Sequence, residues 1–401
     1  MRILMLSWEF PPYVVGGMGK HVAELTPALS QLALSGEPLQ IDVLTTRADG
    51  GAAIEQINPH LTAHRVNVPP IDAHDLYNSV IANNTSLIEY GLKLGEAHHY
   101  DLIHMHDWLV GEAGITLKHQ WKTPLVATIH ATERGRHQGY LPSDTSYHID
   151  QMEGRIGYEA WRVIVCSEYM RGEVHYFFSV PYDKMDVIAN GFDMKAIVHP
   201  SVAETKALRR QYAPHAEKLL FFVGRVTHEK GVQVLISAMP GILATYPNVR
   251  LLVAGKNGNK LWPLAHDLKV DQAVNFLGFI SDHQRDLIYQ IADAAIFPSL
   301  YEPFGIVALE AMAQNCNVIA SNVGGLGEVV VHEQNGLNIY PNDPQSIGWA
   351  VNRLFTDPVA AQRRREVART QTLALYQWDK IAIQTMHVYQ AVVQARAQVP
   401  W

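Results

Sequence analysis

The chain has 401 residues, of which 48% are hydrophobic and 18% are charged. This composition excludes a disordered protein, and the length suits two domains of roughly 200 residues each. The formal net charge is -7, so no overall basic field attracts nucleic acid, and we expect no nucleic-acid partner. The only cysteines, Cys166 and Cys316, form neither a disulfide framework nor a zinc spacing. With no signal peptide and no stretch of ~20 apolar residues, we expect a cytoplasmic protein without integral membrane association.

Short apolar runs alternate with helical patterns along most of the chain. In the first half we predict strands at 2–8, 41–46, 102–106, 125–130, 163–167 and 186–189. The second half repeats the alternation at 219–223, 249–254, 274–277, 294–297, 318–320 and 337–340. Unbroken apolar strands separated by helices indicate parallel, doubly wound sheets covered on both faces. We therefore predict an α/β protein with two Rossmann-like domains that face a central cleft.

The boundary between the two halves is predicted near 190–215. There Asn190 and Gly191 close a strand, and a polar stretch with Pro200 and Pro214 follows. We place the amino-terminal domain at 1–195 and the second domain at 196–378. The tail after Trp378 has the pattern of one amphipathic helix.

The first candidate binding loop, 9–20, follows the first strand and leads into a helix. Its Gly16 and Gly17 would let the backbone approach a phosphate, and a helix amino terminus presents N–H groups to an anion. The loop lacks the three-glycine spacing of the dinucleotide fingerprint. By itself it is equally compatible with a plain strand–helix turn.

The second candidate loop, 224–231, follows the first strand of the second half. It carries Arg225 and Lys230. Two cations on one short loop suit a diphosphate, because arginine offers a planar fork and lysine a point charge. The alternative is a solvated turn.

The third candidate segment, 302–310, follows another strand. Gly305 precedes a predicted helix whose first amides, from Ile306 and Val307, would face an anion. Glu302 and Glu310 flank this point, and ionised carboxylates accept hydrogen bonds from sugar hydroxyls. A helix cap would explain Glu302 alone, but not Glu310 on an otherwise apolar helix.

Histidines end two predicted strands of the first half. His104 and His106 share one face of a strand, so a metal pair is conceivable, and His130 ends the next strand. No set of acids or cysteines with zinc spacing supports a metal site. We therefore predict no metal and no cofactor.

Together these segments resemble the family 4 retaining glycosyltransferases of the GT-B fold, in the glycogen/starch synthase-like branch. The resemblance covers nearly the whole chain in order, and its matching segments are 9–19, 106–108, His130, 190–191, 224–231, 302–310 and 324–328. In this family the tail helix, here 379–401, returns to the first domain.

The resemblance implies a nucleotide-sugar donor, either a UDP-sugar or an ADP-sugar, bound mainly by the second domain. Arg225 and Lys230 would neutralise the diphosphate, joined by the amides of Ile306 and Val307 and by the Gly16-Gly17 loop.

The resemblance also implies roles around the rest of the donor. Glu310 would accept hydrogen bonds from the ribose, and Glu302 would hold hydroxyls of the donor sugar. His130 would contact that sugar from the first domain, and Asp107 would lie toward the acceptor. The nucleotide base would lie near Lys256 and Ile280.

The predicted activity is a metal-independent, retaining transfer of a hexosyl group, glucosyl in the first instance, to a carbohydrate acceptor such as an α-glucan. UDP-glucose and ADP-glucose are both candidate donors. Preorganised cations and amides would stabilise the departing diphosphate, a task that other transferases give to a metal at a D-x-D element, which this sequence lacks. The alternatives are a nucleotide-sugar epimerase or hydrolase, a transferase with a small-molecule or lipid-linked acceptor, a pyridoxal-phosphate-dependent phosphorylase, and a non-enzymatic binding module.

Overall fold

The computed structural model describes residues 1–34, 36–47, 51–215 and 217–401. It divides into two compact units, one formed by Met1–Gly191 with Trp378–Trp401 and the other by Phe192–Gln377. We call them unit 1 and unit 2; the predicted borders were at 195 and 378. Unit 2 begins at Phe192 because that residue bridges to Gln377, and its N–H donates to the carbonyl of Tyr376 at 2.6 Å.

Unit 1 contains an eight-stranded sheet and a separate two-stranded hairpin. Its strands are β1 Arg2–Leu6, β2 Ala33–Leu34, β3 Glu37–Pro38, β4 Gln40–Thr46, β5 Ile54–Asn58, β6 Leu61–Val66, β7 Leu102–His106, β8 Leu125–Ile129, β9 Arg162–Val165 and β10 Met185–Val187. The order across the large sheet is β10-β9-β8-β7-β1-β4-β6-β5, and all neighbours are parallel except β5 and β6. The helices are α1 Gly17–Ser30, α2 Leu76–Ala97, α3 Gly111–Trp121, α4 Glu133–Arg136, α5 Asp144–Glu159 and α6 Glu168–Phe178.

The sequence predicted the central strands of the unit 1 sheet correctly but missed the edge that β5 and β6 form. Every residue of β7 and β8 is buried, as expected for parallel strands covered on both faces. The antiparallel pair β5 and β6 was missed. Four of the five residues of β5 are exposed, and β6 carries Thr62, His64 and Arg65, so neither strand has an unbroken apolar run.

The strands of unit 2 are β11 Lys218–Val223, β12 Val249–Ala254, β13 Val274–Gly278, β14 Ala294–Phe297, β15 Val318–Ser321 and β16 Leu337–Ile339. They form one six-stranded, wholly parallel sheet in the order β13-β12-β11-β14-β15-β16. Its helices are α7 Val202–Tyr212, α8 Val232–Thr245, α9 Trp262–Asp267, α10 Asp282–Ile291, α11 Ile306–Ala313, α12 Leu326–Val329, α13 Pro344–Thr356 and α14 Pro358–Leu375. The α/β class and the two parallel-sheet domains predicted from the sequence are confirmed.

The last helix, α15 Trp378–Gln398, packs on α1 within unit 1. It buries Ile381 and Tyr389 in the core of that unit, while Met386 and Val393 are partly buried against the same cluster. The indole of Trp378 donates a hydrogen bond to Glu24 on α1. No helix in the described part of the chain has both the length and the apolar character needed to cross a membrane.

Candidate active site

The loop between β1 and α1 is organised by the carboxylate of Glu9. Its Oε2 accepts hydrogen bonds from the N–H groups of Val15 at 2.7 Å and Gly16 at 3.1 Å. A Cβ on Gly19 would lie 2.6 Å from the same oxygen, so the carboxylate needs a residue without a side chain there. The Gly16 N–H is thus engaged within the loop, and a phosphate contact at this amide would require Glu9 to release it.

His21, His106 and His130 cluster where the carboxyl ends of β7 and β8 meet α1. His106 Nδ1 lies 3.0 Å from His130 Nε2. His21 Nδ1 donates to Asn190 Oδ1 at 2.6 Å. Because Nδ1 of His21 carries the proton, its Nε2 is an acceptor, and this buried atom has no hydrogen-bond partner among the described residues. A buried acceptor without a partner marks a place where a ligand could bind.

The cluster is uncharged at neutral pH. Burial, together with the neighbouring charge of Arg136, lowers the pKa of His130 to about 3. Burial and His130 lower the pKa of His21 to about 3, and burial holds the pKa of His106 well below its usual value. Neutral imidazoles can bind hydroxyl groups without introducing charge.

Asp107 follows β7 and has a left-handed backbone, with φ of 58°. Its Oδ1 accepts a hydrogen bond from the N–H of His130 at 2.7 Å, which joins the ends of β7 and β8. Burial raises the pKa of Asp107 to about 6, although the His130 amide and Arg136 oppose that shift.

Within the described residues, the histidine set that could hold a metal differs from the pair considered in the sequence. The ligand nitrogens of His21, His106 and His130 lie within 4.8 Å of one another, and imidazole suits zinc or copper. His104 is instead engaged by Tyr389 and Thr128. His106 and His130 already serve each other as hydrogen-bond partners, so a metal would have to displace that bond.

In unit 2, the loop 224–231 is attached to the segment that follows β14. Gly231 has φ of 69°, and a Cβ there would lie 1.8 Å from the carbonyl oxygen of Pro298. The N–H of Leu300 donates to the carbonyl of Glu229 at 2.7 Å. The two loops therefore form one continuous surface at the carboxyl ends of β11 and β14.

Lys230 and Glu302 form an ion pair on this surface. Lys230 Nζ donates to Glu302 Oε2 at 2.7 Å, and both side chains are largely buried. Arg225 is half exposed and lies 3.8 Å from Glu229. Of the two predicted cations, one is thus held by a predicted carboxylate and the other extends into solvent.

Helix α11 begins at Ile306, four residues after Glu302. Gly305 precedes it with φ of 101°, and a Cβ at Gly305 would lie 2.6 Å from the Leu326 side chain. Ile306 and Val307 form the first turn of α11. The first N–H groups of a helix lack partners within it and carry partial positive charge, so this turn can bind an anion.

Glu310 is buried on α11, and its carboxylate is held by Arg285. Arg285 Nη1 lies 3.3 Å from Glu310 Oε1, while its Nε donates to Asp286 at 2.8 Å. Burial would lower the pKa of Arg285, but Glu310 and Asp286 raise it above its usual value. Glu310 is therefore part of a buried charge network.

The predicted base-binding residues lie together beyond β12 and β13. The ammonium of Lys256 lies 5.6 Å from the ring centroid of Phe279, which is 75% exposed. Ile280 follows Phe279 and is partly buried. An exposed aromatic face can stack on a nucleobase.

Sequence reasoning missed three residues that shape these surfaces: Glu9, His21 and Arg285. Glu9 lies in the first candidate loop, but its pairing with the loop amides depends on the folded turn. His21 could have been noticed as a polar residue on the buried face of α1. Arg285 lies on α10, where a charged helix residue is typical of a solvated face.

Comparison with known proteins identifies the family. The chain matches the family description "Glycosyltransferase Family 4" over residues 15–196 and "Glycosyl transferases group 1" over residues 172–371. An uncharacterized glycosyltransferase of Methanocaldococcus jannaschii is 38% identical over 98% of this chain and 99% of its own. A glycogen synthase of Mycobacterium tuberculosis is 36% identical over 99% of this chain and 96% of its own.

A solved structure shows the same architecture. Sucrose-phosphate synthase from Thermosynechococcus elongatus matches with a TM-score of 0.82 and 26% identity, over 98% of this chain and 99% of that one. The similarity thus extends through both units. The chain belongs to the family 4 glycosyltransferases of the GT-B fold, in their glycogen/starch synthase-like branch.

Proposed function

We propose that the protein is a retaining glycosyltransferase that moves a hexosyl group, glucosyl in the first instance, from a UDP- or ADP-sugar to a carbohydrate acceptor such as an α-glucan. The observation that carries this proposal is the ion pair of Lys230 with Glu302, directly before the helix that holds Glu310. A cation and two carboxylates then occupy adjoining segments. They complement a nucleotide sugar, in which an anionic diphosphate separates two hydroxyl-bearing rings.

The leaving group is the first chemical problem that such a site must solve. Breaking the anomeric bond leaves negative charge on the nucleoside diphosphate and positive character on the sugar. Arg225, Lys230 and the first amides of α11, from Ile306 and Val307, would stabilise that charge. In doing so Lys230 would exchange Glu302 for a phosphate oxygen.

The released Glu302 carboxylate would then accept hydrogen bonds from the donor sugar. This exchange gives the ion pair a function, because Lys230 shields Glu302 until the donor arrives. Glu310 would accept hydrogen bonds from the ribose, and the base would bind near Lys256 and Ile280. No metal is needed in this scheme, since the protein's own cations and amides balance the diphosphate.

Unit 1 would contribute a neutral imidazole, a carboxylate and a glycine loop. His130, with its pKa lowered to about 3 by burial, would hydrogen-bond to the donor sugar without adding charge. Asp107 would lie toward the acceptor, and the Gly16-Gly17 loop toward the diphosphate. The departing phosphate would take the acceptor proton, so the new bond forms on the face that the leaving group vacates and the configuration is retained. A cytoplasmic location is proposed with this function, in keeping with a chain that has only two cysteines.

A small-molecule acceptor is the second candidate. The sucrose-phosphate synthase that shares this fold is named for a phosphorylated disaccharide, whereas the glycogen synthase is named for a polymer. Both names belong to relatives that align over nearly the whole chain. Both classes of acceptor are therefore compared in the screen.

A donor and acceptor screen tests the proposal. Purified protein is incubated with a panel of UDP- and ADP-sugars, alone and with glucans, monosaccharides or sugar phosphates, and nucleoside diphosphate release is measured. We expect release that depends on an acceptor, with an α-linked product by NMR. Release without an acceptor would indicate a hydrolase, and conversion of the donor sugar into its epimer would indicate an epimerase. A β-linked product from an α-linked donor would contradict retention.

A further inference from the structure

Arg285 is a buried cation that the scheme above does not use. It lies on α10, is 9% exposed, and is surrounded by three acids. Its Nε donates to Asp286 at 2.8 Å, and its Nη1 donates to Asp282 at 2.9 Å and lies 3.3 Å from Glu310 Oε1. A guanidinium so enclosed holds other side chains in place and is not free to bind a phosphate from solvent.

The position of Arg285 is fixed by its own helix. Helix α10 begins with a capping box, in which Ser281 and Gln284 satisfy each other's backbone amides. Asp286, the next residue in the chain, is also buried, and its carboxylate accepts the hydrogen bond from Arg285 Nε. Arginine presents its donors in a rigid planar fork, whereas the donors of lysine lie on one rotatable ammonium, so arginine fixes the directions of the carboxylates more closely.

Helix α10 also contacts α11 at a second point. Tyr289 lies one turn after Arg285, and its hydroxyl donates to the carbonyl of Val307 at 3.3 Å. Arg285 and Tyr289 are thus an i, i+4 pair on one face of α10. Together they fix both Glu310 and the first turn of α11, the two parts of this helix to which we assign nucleotide binding.

We propose, on the basis of the function proposed above, that Arg285 is a positioning residue that sets the Glu310 carboxylate for recognition of the nucleotide ribose. A buried carboxylate needs a cation or hydrogen bonds to stay ionised, and an ionised carboxylate is the stronger acceptor for ribose hydroxyls. Arg285 meets both needs, because it supplies charge and fixes the direction of one oxygen. The assigned ligand chemistry is the vicinal diol of a ribonucleoside diphosphate.

The test measures ribose recognition separately from overall affinity. Dissociation constants are determined by calorimetry for UDP and ADP and for their 2′,3′-dideoxy analogues, which lack the ribose hydroxyls. For the tighter-binding base, we expect the wild-type protein to prefer the ribonucleotide by about 10-fold or more, as hydrogen bonds to a charged group allow. Arg285→Lys keeps the charge and the fold but loses the fork, and should reduce this ratio at least threefold. Arg285→Gln should reduce it further.

Two controls separate positioning from a general structural role. Arg364→Lys alters another buried arginine of unit 2, which pairs with Glu333, and should leave the ratio unchanged. In a Glu310→Gln background, Arg285→Lys should have no further effect on the ratio, because the carboxylate through which it acts has been removed.

The outcomes distinguish this inference from the function on which it rests. Equal weakening of ribonucleotide and dideoxynucleotide by Arg285→Lys would overturn the positioning role and leave the proposed function standing. Equal affinity of the wild-type protein for ribonucleotide and dideoxynucleotide would also overturn the positioning role and leave the proposed function standing. A wild-type protein that binds neither UDP nor ADP would overturn the proposed function, and the ribose assignment with it.

Discussion

The candidate site residues of the two units differ in charge: those of unit 1 are mainly neutral, and those of unit 2 are mainly ionised. In unit 1 these are buried imidazoles, and burial lowers the pKa of His21 and His130 to about 3. In unit 2 they are ion pairs, Lys230 with Glu302 and Arg285 with Glu310. Lys230 can exchange its carboxylate partner for an arriving phosphate, whereas a neutral imidazole can bind a hydroxyl without a counter-ion. The ionised groups to which we assign the donor therefore lie mainly on unit 2.

The largest effect expected from this contrast is at Glu302. Replacing it by Gln keeps the shape, removes the charge, and leaves Lys230 without its ion-pair partner. Because the sugar that we assign to Glu302 changes charge during bond breaking, we expect kcat to fall by ~100-fold or more. Steady-state kinetics with the donor found in the screen measure this.

Glu333→Gln is a matched control for Glu302, since Glu333 also pairs with cations of unit 2 but lies outside the candidate site. It should leave kcat unchanged. If Glu302→Gln retained full turnover, the assignment of the ion pair to the reacting sugar would be wrong.

Glu310 should show a smaller effect of a different kind. Its proposed partner, the ribose, has similar contacts before and during the reaction. Glu310→Gln should therefore raise the donor KM by about 10- to 100-fold, corresponding to ~1.5–3 kcal/mol for a hydrogen bond to a charged group, with kcat little changed. Loss of turnover at saturating donor would instead place Glu310 in the transition state.

Acid should destabilise unit 1 before unit 2. Burial lowers the pKa of His21 and His130 to about 3 and holds those of His104 and His106 well below the usual 6.5. Between pH 6.5 and about 3 the unfolded chain therefore binds more protons than the folded one, so stability falls as the pH falls. Asp107 acts in the opposite sense between 3.8 and about 6, and so does Glu153, because burial raises its pKa well above 4.5, but these are two groups against four.

Hydrogen exchange by mass spectrometry at pH 7 and pH 5, corrected for the intrinsic rate, measures this difference. We expect protection of β7 and β8 to decline more than that of β11 and β14, because the described histidines of unit 2 are all exposed. His104→Gln should reduce the pH dependence by removing one titrating group. An equal decline in both units would show that the buried imidazoles do not control acid stability.

The smallest expected effect is that of a chelator. If Arg225, Lys230 and the helix amides neutralise the diphosphate, then EDTA should leave kcat and KM unchanged. Activity is measured after dialysis against EDTA and after adding back magnesium or manganese. Loss of activity that either metal restores would contradict the assignment of this task to unit 2.

The sequence predicted those parts of the structure that depend on local pattern. Strands β7, β12 and β14 match their predicted residues, because apolar side chains form most of each strand. The loops with Lys230 and Glu302 were both found, since each follows such a strand. Their ion pair was not predicted, because it joins residues 72 positions apart and depends on how the two loops meet.

Other features of the candidate site depend on tertiary contacts that leave no local pattern. Arg285 follows a helix cap and resembles a surface residue until α10 packs on α11. Glu9 binds amides of its own loop only after the chain turns back on itself. Likewise, the edge strand β5 is exposed and polar, so no hydrophobic period distinguishes it from a loop.

The close approach of Gly231 to the carbonyl of Pro298 has a consequence for engineering the donor preference of this enzyme class. The loop 224–231 and the segment after β14 cannot be redesigned independently, because any side chain at Gly231 would collide with the backbone of the other segment. A transplant from a relative of the two segments to which we assign donor binding must therefore carry both as a single cassette. Combinatorial libraries that vary the two segments separately would disrupt the ion pair of Lys230 with Glu302.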